Sequence, residues 1–176
     1  EYVDYFVLNV SCPNVSNFTK LQDVAFLKTL IPKLKEINSK KTKPKPILIK
    51  ISPDLSTEQL DETINLVLDQ NLDGIIATNT TTSRKNLNTS SFRLNKIGNG
   101  GLSGLPLTNQ STEVIRYIAK KTNKKIPIIG VGGIMNENDA MEKLEAGASL
   151  LQIYTGFIYN GPSLIKNINK KILSCT

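Results

Sequence analysis

Apolar runs rich in Val, Ile and Leu recur along the chain at Tyr5–Val10, Ile47–Ile51, Gly74–Thr78, Ile126–Val131 and Leu150–Tyr154. Between them, apolar residues return every three or four positions. Short continuous apolar runs fit strands buried on both faces, as in parallel sheets, and the intervening period fits amphipathic helices. The pattern therefore predicts a βαβ succession of the α/β class. Periodicity does not choose between a closed barrel and an open, doubly wound sheet.

The helical segments carry start and stop signals. Leu27, Leu30, Ile31 and Leu34 share a face near Leu21–Ile37, where Pro32 is expected to kink or break the helix. Ser56 with Gln59 forms a capping box ahead of a stripe of Leu60, Ile64, Val67 and Leu68. A third helix is predicted over Ser111–Thr122 and a fourth near Glu137–Ala146, stopped by Gly147. Pro162 suits the first turn of a last helix through Leu164, Ile165, Ile168 and Ile172. From Asn79 to about Thr108 the chain is polar and rich in Gly, Ser and Asn, a connection long enough to be read as a mobile active-site loop.

Composition narrows the chemistry. The 176 residues are 39% hydrophobic, enough to bury one domain core, and no run approaches the roughly 20 apolar residues of a spanning helix. The chain begins at Glu1, directly in an apolar stretch, as expected of a piece of a longer protein. The net charge is +7, but its one dense cluster (Lys40, Lys41, Lys43, Lys45) has no interleaved aromatic residues and reads as a solvated loop rather than a nucleic-acid surface. Cys12 and Cys175 lie far apart and make no metal spacing, so no disulfide framework or metal site is expected. Histidine is absent, which leaves acid–base work to Cys, Lys, Tyr or carboxylates.

Polar residues gather at the C-terminal ends of the predicted strands, where barrels and open α/β sheets both place their ligands. Lys50 lies inside an apolar strand, and a lysine there is costly unless an anion meets it, so it is expected to face a ligand. The amides of Asn9, Asn14 and Asn79 each offer a donor and an acceptor, suited to a planar polar substrate. Gly132-Gly133 and Gly156 follow consecutive strands and permit close approach of the backbone to a phosphate. Cys12 precedes Pro13 at a strand mouth, a position that favours an accessible thiol able to act as nucleophile or base.

The motifs Asn9-Val10-Ser11-Cys12-Pro13-Asn14, Lys50-Ile51-Ser52-Pro53-Asp54-Leu55, Asn79-Thr80-Thr81, Gly100-Gly101-Leu102-Ser103-Gly104-Leu105-Pro106-Leu107, Ile128-Ile129-Gly130-Val131-Gly132-Gly133-Ile134 and Leu151-Gln152-Ile153-Tyr154-Thr155 occur in this order. Together they resemble the dihydroorotate dehydrogenases over essentially the whole chain. The Gly-Gly-Leu-Ser-Gly and Asn-Thr-Thr elements resemble class 2, the membrane-linked, quinone-dependent type.

The resemblance implies a (β/α)8 TIM barrel of which residues 1–176 supply the last five β/α units, as the C-terminal part of one FMN-binding domain. It implies oxidation of (S)-dihydroorotate to orotate in pyrimidine (UMP) biosynthesis, with electrons passed to a membrane quinone. Carried over residue by residue, Asn9, Lys50, Thr78, Gly104, Gly133, Tyr154 and Thr155 would contact FMN. Asn9, Ser11, Asn14, Asn79 and Thr80 would hold the substrate, and Cys12 would be the base. Class 2 members usually have serine where this chain has Cys12, a feature of class 1, and this bears on the electron acceptor. The family's membrane-associating segment and first three strands have no counterpart here, so a separate fragment is expected to be inactive. The whole enzyme is expected at the cytoplasmic side of a cell membrane, or at the mitochondrial inner membrane if eukaryotic. Rival readings are a class 1-like enzyme with another acceptor, another FMN barrel oxidoreductase, and a non-catalytic phosphate-ligand-binding fragment.

Overall fold

In a computed structural model that describes residues 2–11, 24–85 and 87–175, the five apolar runs form five parallel strands: β1 (Phe6–Asn9), β2 (Ile47–Ile51), β3 (Gly74–Ala77), β4 (Ile128–Val131) and β5 (Leu150–Gln152). They pair in chain order, with Asn9 opposite Lys50, Lys50 opposite Ile76, Ile76 opposite Ile129 and Ile129 opposite Leu150. The helices are α1 (Val24–Ser39), α2 (Thr57–Asp69), α3 (Ser91–Ile97), α4 (Thr108–Lys121), α5 (Glu137–Glu145), α6 (Thr155–Asn160) and α7 (Pro162–Cys175).

The side-chain alternation of the strands sorts the core into two faces. Ile49, Ile51, Ile75 and Ile128 point outward into the main core with Leu27 and Ile31 of α1, Ile64 of α2, and Ile115 and Ile118 of α4. Burying each such side chain contributes about 1.5–3 kcal/mol. Leu48, Ile76 and Ile129 form a separate inner cluster, joined by Val7 and Val131 and by no helical residue. Strands in unbroken order with helices over one face make the arc of a barrel. A doubly wound sheet would reverse its strand order and cover both faces.

Full burial of every strand does not hold. β2, β3 and β4 are buried almost throughout, whereas Phe6 and Leu150 on the outermost strands β1 and β5 are 51% and 61% exposed. The outer strands have a neighbour on one side only. α1 runs unbroken through Pro32, whose exposed ring leaves the buried anchors Leu27 and Ile31 in place. On α2 the capping box of Ser56 and Gln59 forms, but Leu66 is buried where Leu68 was expected, and Leu68 is exposed. α5 has a second capping box, in which Asn136 accepts from the backbone of Asn138 and Asp139.

The connection expected to be a bare loop has its own structure. Thr81 and Leu102 form an antiparallel bridge, and Ser90 caps α3. The Arg84 guanidinium ties the strand of the bridge to the Gly100 carbonyl. Leu105–Leu107 then make a 3₁₀ turn that runs directly into α4, so that helix starts three residues before the expected Ser111.

Candidate active site

Alternation carries the inner face past the apolar cluster to the strand ends. Lys50 lies two residues beyond Leu48, Thr78 two beyond Ile76, and Asn9 two beyond Val7, so the next inner layer is polar. A cavity of about 210 Å³ opens there, lined by Lys50, Thr78, Asn79, Thr80, Ser103, Gly104, Gly133, Gln152, Tyr154 and Thr155 among others. Ten of the residues singled out from the sequence, namely Lys50, Thr78, Asn79, Thr80, Gly104, Gly132, Gly133, Tyr154, Thr155 and Gly156, thus share one cavity. Cys12 and Asn14 lie outside the described residues.

Lys50 is half-buried, and among the described residues its ammonium has no hydrogen-bond or ion-pair partner. Burial lowers its pKa. A cation that lines a cavity with no partner among the described residues favours a ligand that is, or becomes, negatively charged.

Asn79 joins three of the predicted residues. Its Nδ2 donates toward Asn9 Oδ1 at 3.2 Å, the Ser11 carbonyl at 2.9 Å and Ser11 Oγ at 3.1 Å, while its Oδ1 accepts from Thr80 N at 2.8 Å. Ser11 is buried and its hydroxyl donates to the Lys50 carbonyl at 2.9 Å, so it locks β1 to β2. The segment after Asn79 is held by Asp54, which accepts from Thr81 Oγ1 at 2.5 Å, Thr82 N at 2.7 Å and Thr82 Oγ1 at 2.9 Å. Burial pushes the Asp54 carboxyl upward, but the hydrogen bonds from Thr81, Thr82 and Gln110 outweigh it and hold the pKa below the ordinary value.

Also lining the cavity is the Gly132-Gly133 turn, which α4 grips. Thr108 Oγ1 donates to the Gly133 carbonyl at 2.7 Å, and Ser111 Oγ to the Gly132 carbonyl at 2.8 Å. Among the described residues, no hydrogen bond engages the N–H of either glycine. With its carbonyls pinned, the turn leaves two backbone N–H groups that could receive an anion. Gly133 has φ 71°, and a Cβ there would fall 2.3 Å from Thr108 Oγ1 and 2.4 Å from its Cα, so only glycine lets the turn sit on the helix. A Cβ on Gly156 would meet the Ile134 carbonyl at 2.0 Å, which seats the first turn of α6 on the loop after β4. Thr155 Oγ1 lies 2.9 Å from Ser103 Oγ and draws the long connection over the same end.

Sequence reasoning assigned no role to Asp54, Thr108, Ser111 or Lys143. The first three are ordinary polar residues whose work is set by what they touch. Lys143 is the largest fully buried side chain of the described residues, yet it sits in a helix of polar composition where nothing local marks it.

A family profile described as Dihydroorotate dehydrogenase matches residues 1–175. The chain belongs to the dihydroorotate dehydrogenase family. A relative named dihydroorotate dehydrogenase (quinone), from Christiangramia forsetii, is 58% identical over 173 residues, which make up 98% of this chain and 50% of that protein. One of the same name from Crocosphaera subtropica is 49% identical over 179 residues, covering 98% and 46%. The crystal structure of a ligand-free type DHODH from Eimeria tenella aligns at TM-score 0.89 and 32% identity, over 98% of this chain and 52% of that one. The chain spans about half the length of the curated relatives it matches. Its five in-order strands are accordingly part of a (β/α)8 barrel, which settles the choice that periodicity left open.

Proposed function

We propose that residues 1–176 form the C-terminal part of the single FMN-binding barrel domain of a quinone-dependent dihydroorotate dehydrogenase, which oxidises (S)-dihydroorotate to orotate in pyrimidine biosynthesis. The observation that carries the reading is that the half-buried Lys50, with no partner among the described residues, lines one cavity with Asn79-Thr80 and with Gly132-Gly133, whose N–H groups are likewise without a partner among them. A lone cation between an amide cluster and a backbone anion site fits a ligand with a phosphate tail and an electron-accepting ring, beside a planar polar substrate.

On this reading Gly133, Gly104 and Thr155 hold the phosphate end of FMN, with Tyr154 beside them, and Asn9, Lys50 and Thr78 lie against its ring. When bound, FMN would supply the two-electron chemistry, the acceptor for hydride leaving substrate C6 and the link to a quinone. Lys50 offsets the negative charge that reduction brings into the site. Asn9, Asn14, Asn79 and Thr80 orient the dihydroorotate ring through amide and hydroxyl pairs, and Ser11 keeps Asn79 aimed by accepting from its amide. Cys12, as thiolate, takes the C5 proton as the C5=C6 bond forms.

Quinone as acceptor is supported by the names of the relatives at 58% and 49% identity. It implies peripheral contact with a membrane, and no helix among the described residues is long and apolar enough to cross one. Cys12 keeps one second reading in view, a class 1-like acceptor. Both are tested by assaying orotate formation by the full-length protein with a soluble quinone and, separately, with fumarate. Turnover with quinone alone supports the proposal, turnover with fumarate alone selects the class 1-like reading, and no orotate with either sinks both.

A further inference from the structure

We infer that Lys143, on an outer helix, is a positioning residue for the anion-binding turn at Gly132-Gly133. It fixes the first turn of α4, whose hydroxyls hold that turn's two carbonyls. The inference rests on the reading that this turn receives the phosphate of FMN.

The path is continuous in hydrogen bonds. Lys143 Nζ donates to the Thr108 carbonyl at 2.7 Å and to Thr112 Oγ1 at 2.5 Å. The same Thr108 carbonyl also accepts from Ser111 Oγ at 3.2 Å and Thr112 Oγ1 at 2.9 Å. Thr108 and Ser111 in turn donate to the carbonyls of Gly133 and Gly132. One ammonium thus gathers the first turn of α4 into the shape in which it can grip the glycines.

The placement is hard to explain as scaffolding. Lys143 is fully buried, and burial lowers its pKa to about 8, against the pull of Asp139 and Glu142 on its own helix and with the help of Arg116 on α4. An apolar side chain there would avoid that cost.

A role in shaping the phosphate turn differs from a general structural role in what it does to two ligands that share a ring. The experiment compares the affinities of FMN and riboflavin for the apo full-length protein and for its Lys143→Met and Thr112→Val variants, by quenching of flavin fluorescence. The native protein should prefer FMN. Lys143→Met should cut that preference roughly 10–100-fold, as loss of a supporting group does behind metal sites, while riboflavin binds much as before. Thr112→Val, which keeps the lysine and removes one of its two acceptors, should cut it by less and remains informative if the first variant does not fold. An FMN preference unchanged in the folded variants overturns the role of Lys143. Equal affinity of the native protein for the two flavins overturns the phosphate reading itself.

Discussion

Replacing Lys143 by Met keeps most of the side-chain volume and removes a buried charge, and its effect on stability should depend on pH in a definite direction. Burial, opposed by Asp139 and Glu142 and assisted by Arg116, brings the ammonium from 10.5 to about 8. In the unfolded chain the amine returns to its ordinary value. Between about pH 8 and pH 10.5 the unfolded state therefore binds more protons than the folded state, and stability rises with pH across that window. Below it both states are charged and the cost of burying the charge is felt in full; above it that cost is gone. At about 1.36 kcal/mol per pH unit the window is worth at most about 3 kcal/mol, and about 1–3 kcal/mol after allowance for screening. The Met variant has no such contribution, so subtracting its stability cancels the other titrations. Urea unfolding of the two full-length proteins from about pH 7.5 to about pH 10.5 should show the native protein gaining on the variant by about 1–3 kcal/mol. A difference that stays flat or falls with pH would refute the reasoning, because it would mean that the amine is not buried in its charged form.

Gly133→Ala forces a Cβ to within 2.4 Å of the Thr108 backbone and places alanine at φ 71°, which alone costs about 1–2 kcal/mol; the full-length protein should purify without its yellow flavin, and absorbance at the flavin band checks this. Cys12→Ala should keep bound FMN yet slow flavin reduction by dihydroorotate about 10²–10⁴-fold in anaerobic stopped flow, and Cys12→Ser should recover part of the rate with its pH profile moved upward; a near-native rate in the alanine variant removes Cys12 as base. Asp54→Asn sets an amide group where Thr82 N and two hydroxyls need acceptors, so it should cost about 1–3 kcal/mol in urea unfolding and raise the KM for dihydroorotate, with an unaltered KM showing that Asp54 does not steady the Asn79-Thr80 segment.

What the sequence made legible follows from the range of the interactions involved. Strand identity is local: the runs around Ile49, Ile75 and Ile128 are apolar because both their faces are covered, and that is visible in five residues. The inner polar layer is nearly as local, since Lys50 in Ile47–Ile51 violates the apolar rule of its own strand. The edges were misjudged for a related reason. Phe6 and Leu150 look like core in sequence, and their burial depends on neighbours that the pattern of one strand does not reveal. Pro32 was overread because the rule against proline in helices says nothing of an exposed ring on a helix anchored at Leu27 and Ile31. Lys143 and Thr108 were invisible because the contact joining them spans 35 residues, and neither breaks a local pattern. The long connection hid α3 because none of that helix is buried, so it has no apolar stripe to read.

The backbone contacts at Gly133 and Gly156 divide the cavity for anyone wishing to change what it accepts. Around these glycines the walls are main chain on main chain, and a Cβ there would fall 2.0–2.4 Å from its neighbours. Around Asn79 the walls are side chains, held by hydrogen bonds to Asn9, Ser11 and Thr80 rather than by the packing of a helix. On the proposed reading, selectivity for the ring of a substrate is therefore open to engineering, while the grip on a phosphate tail is frozen into the chain's path.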